Sequence, residues 1–202
     1  MVLFVLEMSS PSPGRAAVLD ALVRVIDGRG IDRATVREVA GAAGVAIGTV
    51  QHHFPTKDDM LTAAFEEVVR RVTSRVAGAE LGGDVHGNLR TVLHELLPLD
   101  ARRLSEARVH LAFSSRASTS PALARVQQRV LASVQEQLRS AFALVWVGAE
   151  QADRCAQAAE AALALVDGLT LHSVSSGSDP GLAGMQDVLD LFLDAVLGRP
   201  PP

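Results

Sequence analysis

Apolar residues recur along this chain at helical spacing and almost nowhere at the alternation that a strand requires. Val18, Ala21, Leu22, Val25 and Ile26 fall at i, i+3, i+4, i+7 and i+8, one face of a helix. The same register returns in Leu61, Ala64, Phe65, Val68, Val69 and Val72, then in Leu89, Val92, Leu93, Leu96 and Leu97. It returns last in Met185, Val188, Leu189, Phe192, Leu193, Val196 and Leu197. Breakers separate these runs. Asp27-Gly28-Arg29-Gly30 closes the first helix, because glycine accepts the left-handed C-terminal cap. Pro98 stops the run that begins before Leu89, and Pro121 suits the first turn of a long helix expected to reach about Val147. An arginine-rich helix is expected around 100–116 and an alanine-rich one over about 150–175. The glycine-rich stretches 78–87 and 177–184 read as hinges, the second as the loop before the last helix. Alanine, leucine and valine supply the apolar mass, aromatics are 3% and tyrosine is absent, which suits close-packed helices better than a sheet. The expectation is an all-α chain of about nine helices; 202 residues suffice for one domain or two small ones.

Composition also excludes classes of function. A single cysteine, Cys155, permits no internal disulfide and no cysteine-based zinc cluster; it is expected to be a small buried side chain. The opening Met-Val-Leu-Phe-Val-Leu-Glu-Met is too short for a membrane span or a signal-peptide core. Residues 1–7 are expected to be a tail or the product of an upstream start codon, and Arg-Pro-Pro-Pro at the other end to be unstructured. Without a targeting segment, the chain is expected in the cytoplasm, with no membrane partner. No Gly-x-Ser-x-Gly, phosphate-cradling glycine loop, His-x3-His or paired carboxylate set is present. His52 and His53 are adjacent and point in different directions, and Asp167 and His172 are off-face. No enzyme, metal or cofactor is expected.

The most specific stretch starts at residue 35: T-V-R-E-V-A-G-A-A-G-V-A-I-G-T-V-Q-H-H-F-P-T-K-D-D-M. Thr35 and Glu38 have the spacing of a capping box, so a helix starts at Val36. Val39 and Ala40 face inward, Ala40 small enough for a second helix to cross closely. Gly44 makes the turn without strain, Val45 anchors it, and Val50 is the next buried position. That spacing is a helix-turn-helix, whose second helix, about Ala46 to His53, would lie in the major groove. Thr56 then caps another helix, with Asp58 and Asp59 in its first turn. Lys57, the only lysine in the chain, joins free backbone N–H groups at that terminus to make a phosphate site.

I-G-T-V-Q-H-H-F-P-T-K-D-D-M-L resembles the recognition helix and following helix of the TetR (tetracycline repressor) family, and the likeness extends over roughly residues 13–72. The resemblance implies a homodimeric repressor, with a DNA-binding domain at 13–72 and a ligand-binding and dimerising helical domain at 80–198. Its partners would be a palindromic double-stranded DNA operator and a small-molecule inducer. Thr35, Arg37, Ile47, Gly48, Thr49, Gln51, His52, His53 and Lys57 fall where the family contacts DNA. Ala46 is grouped with them, where relatives often carry a serine cap. Gly48 would let the backbone approach the groove, Thr49 would donate to a phosphate, and Gln51 can read an adenine edge. His52 and His53 stand where many relatives have tyrosine, so their contacts would depend on pH. The implied mechanism has a ligand in the C-terminal core that shifts the fourth helix, about 57–76, and moves the two DNA-binding domains out of register.

The charge balance neither supports nor opposes this. Residues 1–75 carry nine cations and nine anions, and the remainder ten against fourteen, giving −4 for the whole. What binds DNA is a local stripe, helped by backbone N–H groups and helix dipoles. An acidic balance predicts weak non-specific binding.

In the C-terminal part, Ala158, Ala161, Ala162 and Leu165 permit close helix approach, and the last apolar stripe needs a partner. Two helices from each subunit would form a four-helix bundle. Glu106, His110, Phe113, Phe142, Trp146 and His172 are polar or aromatic side chains on otherwise apolar helices, the make-up of a small-ligand pocket. L-P-L-D-A-R-R-L-S-E-A-R-V-H-L-A-F resembles regulators grouped with the choline-responsive betaine repressor. With one Trp and three Phe after residue 80, a four-sided aromatic cage for a quaternary amine is hard to build, and choline is not inferred. The competing reading is a helical ligand-binding protein without an operator, which the departures at Ala46, His52 and His53 leave open.

Overall fold

A computed structural model of the chain describes residues 12–82, 84–175 and 182–198. Among them are nine α-helices and two short 3₁₀ turns, in agreement with the all-α expectation. The helices are α1 (Pro13–Arg29), α2 (Val36–Ala43), α3 (Ile47–His53), α4 (Lys57–Gly78) and α5 (Val85–His94). They continue as α6 (Ala101–Ala117), α7 (Pro121–Ala143), α8 (Ala152–Ser175) and α9 (Leu182–Leu197). Residues 1–11, 176–181 and 199–202, which include the expected tails and most of the second hinge, lie outside the described residues. Leu182 to Gly184, read as loop, belong to α9.

The described residues form two compact units. One takes α1 to α3, α4 through Arg71, and Arg102–Arg129. Its buried residues are those the period selects: Val18, Leu22, Val25 and Ile26 on α1, Val39 and Ala40 on α2, Val50 on α3, and Leu61, Ala64, Phe65 and Val68 on α4. Two ion pairs tie α1 to neighbouring helices, Arg71 to Asp20 and Arg108 Nη1 to Asp27 at 2.7 Å. Glu67, buried on α4, accepts from Arg70 Nε at 2.8 Å and Nη2 at 2.6 Å and from Arg71 Nε at 2.7 Å. Burial alone would push this carboxyl up, but the hydrogen bonds and charges of Arg70 and Arg71 outweigh it and hold it below its ordinary value of 4.5.

The other unit takes Val72–Ala101 and the described residues from Val130 on. Leu89, Leu93, Leu97, Leu138, Phe142, Ala158, Ala162, Leu189 and Leu193 share its core with Cys155. A polar seam joins α5 to α9: Arg90 reaches Asp190 at 2.9 Å and Asp194 at 2.6 Å, and His94 Nε2 lies 2.8 Å from Asp190. The expected hinge before α5 is pinned. Asp84 caps α5 by accepting from the N–H groups of His86 and Gly87, at 3.2 and 2.8 Å. Asn88 exchanges two hydrogen bonds with the backbone of Gly82, at 2.8 and 2.9 Å.

Two helix ends differ from the expected ones. α5 stops at His94, short of Pro98, because Leu96 and Leu97 donate back three residues in tighter turns that still bury Leu97. α7 stops at Ala143 instead of about Val147. There Leu144 and Val145 make three-residue turns, and the Trp146 ring lies against Phe142 with centroids 5.6 Å apart, under the guanidinium of Arg154.

A group whose carboxyl value is depressed in the fold contributes stability above its unfolded value and loses it as pH falls through the folded one. Glu67→Gln is therefore expected to lower stability at neutral pH and to flatten the loss of stability below about pH 4.5, the ordinary carboxyl value. Urea denaturation across that range measures both.

Candidate nucleic-acid interface

The interface is built from three short elements whose ends are set by local chemistry. Thr35 is extended, and its Oγ1 accepts from Glu38 N at 3.3 Å, starting α2 at Val36 as expected. The other half of that capping box does not form. The Glu38 carboxylate pairs with Arg29 instead, and the Thr35 N–H donates to the Arg33 carbonyl at 2.8 Å. α2 ends at Gly44 in the left-handed region, φ 68° and ψ 31°, where any side chain would be strained. Val45 N–H donates to the Ala40 carbonyl at 3.1 Å, closing the turn as a Schellman-type cap does.

α3 then presents one face outward. Ile47, Gly48, Gln51 and His52 are exposed, Thr49 and His53 are half-buried, and Val50 is fully buried. Ala46 occupies the N-cap with the extended backbone of a capping residue but supplies no side-chain bond. Phe54 ends the helix, buried, with Arg15 5.3 Å above its ring. A complete reciprocal box forms at the next helix. Thr56 Oγ1 accepts from Asp59 N at 3.1 Å, and the Asp59 carboxylate accepts from Thr56 N and Oγ1 at 3.0 and 2.7 Å. Lys57 Nζ donates to the Asp32 carbonyl at 3.3 Å, which holds the start of α4 against the 3₁₀ turn Ile31–Arg33. Arg37 is exposed and makes no ion pair or hydrogen bond among the described residues.

The expected ligand residues fall in two places. Glu106, His110 and Phe113 lie on one face of α6, in the unit that holds α1 to α3. Phe113 stacks face to face on Phe65 with centroids 4.1 Å apart, and His110 lies 5.7 Å from the same ring. Glu106 is buried, with Arg102 Nε 3.4 Å away. Phe142 and Trp146 stack on each other in the other unit, and His172 is exposed on the last turns of α8. Reading by residue type missed Phe65. Its place in the α4 apolar stripe marked it as core, and the facing of α4 and α6 carries no local signal.

Two family models match the chain. The one described as bacterial regulatory proteins of the tetR family covers residues 18–64, and the BetI-type transcriptional repressor C-terminal model covers 86–198. The chain belongs to the TetR family of transcriptional regulators. It is 30% identical to the HTH-type regulator BetI of Paraburkholderia phytofirmans over 186 residues, 91% of this chain and 93% of that protein. It is 28% identical to the HTH-type regulator PksA of Bacillus subtilis over 79% of this chain and 78% of that protein. A transcriptional regulator from Rhodococcus superposes with a TM-score of 0.83 at 35% identity, covering 95% of this chain and all of that one. A regulator from Saccharomonospora viridis in complex with choline shares the fold at a TM-score of 0.74 and 22% identity, over 91% of this chain and 97% of that one. TetR-family proteins are DNA-binding transcriptional regulators and not enzymes, and the α2–turn–α3 unit is their helix-turn-helix. No helix among the described residues is long and apolar enough to cross a membrane.

Ala46 already has the backbone of a cap, so Ala46→Ser should stabilise the protein by about 1 kcal/mol. A rise in the urea midpoint with an unchanged slope is the expected result.

Proposed function

We propose that this TetR-family regulator is a homodimeric repressor that holds a palindromic operator through two copies of α3 in successive major grooves and leaves it when a small molecule binds. The observation that carries the reading is the exposure pattern of α3. Ile47, Gly48, Gln51 and His52 stand outward on a helix clamped from behind by Val50 and Phe54. Exposed polar and backbone-accessible positions on a rigidly seated helix are what base reading needs. Thr35, Arg37, Thr49, His53 and Lys57 would make the backbone contacts that set register, and Ala46 would bring the chain into the groove. In this reading residues 13–72 act as the DNA-binding domain, residues 80–198 as the ligand-binding and dimerising domain, and the protein works in the cytoplasm.

Dimerisation is assigned to α8 and α9. Leu171 is 50% exposed on α8, and Val188 and Leu191 are 43% and 71% exposed on α9. Large apolar side chains left in water on the last two helices favour burial against a second copy. Ligand recognition is assigned first to Glu106, His110 and Phe113, which share one face of α6, with His110 and Phe113 against Phe65. Phe142, Trp146 and His172 are proposed on residue type alone. The Saccharomonospora viridis regulator holds choline; the fold shared with it does not carry that ligand to this chain.

Fluorescence anisotropy on the DNA flanking the protein's own gene, against a scrambled competitor, tests the DNA reading. Saturable binding should survive competitor and fall at least tenfold in Thr49→Ala or Lys57→Ala, about 1.4 kcal/mol. Binding no better than to the scrambled duplex would sink it. Spin labels on the two α3 helices test the release mechanism: a ligand that frees DNA should change their separation, and an unchanged distance would exclude it.

A further inference from the structure

An open cleft of about 520 Å³ lies between α1 and α2. Its lining includes Arg24, Arg29, Arg37 and Glu38, three guanidinium groups against one carboxylate, a net of two positive charges. This concentration matters because the N-terminal 75 residues balance nine cations with nine anions. Most of the other cations there are committed. Arg70 and Arg71 hold Glu67, Arg71 also holds Asp20, Arg75 pairs with Glu95 at 3.4 Å, and Arg15 sits over Phe54. Three of the five that remain, Arg24, Arg29 and Arg37, line this one cleft.

The bonds these arginines do make leave them available. Arg24 Nη2 donates one bond to the Ala42 carbonyl at 3.2 Å, and Arg37 makes none among the described residues. The Arg29–Glu38 pair is exposed on both sides, 63% and 41%, where an ion pair adds little to stability and is readily exchanged. Gly28 and Gly41 also line the cleft, and a Cβ at either position would meet nothing within 4 Å, so side chains there would take up its space.

We propose that the α1–α2 cleft seats a stretch of the DNA sugar–phosphate backbone, with Arg24 and Arg29 as phosphate contacts beside Arg37. It rests on the proposed approach of Arg37 to DNA, since α2 carries both. The cleft supplies a net positive surface within an acidic chain, with its arginines spread over two helices. Glu38 tempers it by holding Arg29 until a phosphate replaces the carboxylate.

The test is the salt dependence of binding to a labelled duplex from the DNA upstream of the protein's own coding sequence. Removing one phosphate contact should lower the slope of log affinity against log salt by about 0.9, hence about 1.8 for a complex with two half-sites. Arg29→Gln and Arg24→Gln are expected to show that reduction and several-fold weaker binding at physiological salt, and Arg116→Gln, outside the cleft, to show neither. Gly41→Leu, which fills the cleft, should weaken binding without lowering the melting temperature, and Glu38→Gln should tighten it. If Arg37→Gln lowers the slope while Arg24→Gln and Arg29→Gln keep it, the cleft proposal fails and the DNA-facing role of α2 stands. If all three keep the wild-type slope, both fail. Weaker binding at an unchanged slope in Arg24→Gln and Arg29→Gln marks a structural role only and also overturns the proposal.

Discussion

The turn at Gly44 is the constraint on which the N-terminal unit depends. Its left-handed backbone reverses the chain within a few residues, and the Val45 N–H to Ala40 carbonyl bond locks the reversal. Only then can α3 cross α2 closely over Ala40, bury Val50 and turn Ile47, Gly48, Gln51 and His52 outward. A side chain at Gly44 would be strained where φ is 68°, and α3 would lose the angle that presents its outer face. Phe54 holds the other end of α3, its N–H donating to the Val50 carbonyl and its ring buried, so a helix of seven residues is fixed at both termini. Isolated, so short a helix would not persist in water.

Electrostatics are arranged within this frame more by pairing than by excess charge. α4 commits two arginines to a buried carboxylate, Glu67, and joins α1 through the pair of Arg71 with Asp20. Among residues 12–75, the exposed arginines Arg24, Arg29, Arg33 and Arg37 lie on α1, α2 and the 3₁₀ turn between them. A regulator built so would rely on a few placed contacts and on helix geometry, with little of the diffuse attraction that a basic protein has for any duplex.

Aromatic side chains are used in the same sparing way. Three of those after α4 are paired with another ring: Phe113 on Phe65, and Phe142 on Trp146, with Arg154 capping the indole. Offset and stacked ring pairs stabilise beyond their buried area, which helps a core made mainly of alanine, leucine and valine. The α5–α9 seam of Arg90, His94, Asp190 and Asp194 adds directional contacts that apolar packing lacks.

Much of this was legible in residues alone because its causes act within one turn of chain. The buried face of α1, the start of α2 at Val36, the turn at Gly44 and the cap at Thr56 each follow from the chemistry of a few adjacent residues. The resemblance of 47–61 to TetR recognition helices followed for the same reason, since a helix-turn-helix is a local motif. Tertiary structure decided what depends on residues far apart. Glu38 was free to complete its capping box until Arg29, nine positions earlier, took its carboxylate. Phe65 became an aromatic neighbour of His110 and Phe113 only when α6 lay against α4. Trp146 took its place under the Arg154 guanidinium only when the chain had turned into α8, and Arg24, Arg29 and Arg37 became one cleft only when α1 met α2. Sequence determines such partners only through the fold, because hydrogen bonds, ion pairs and stacked rings are set by distance in space, and spacing along the chain gives that distance only within a helix or a turn.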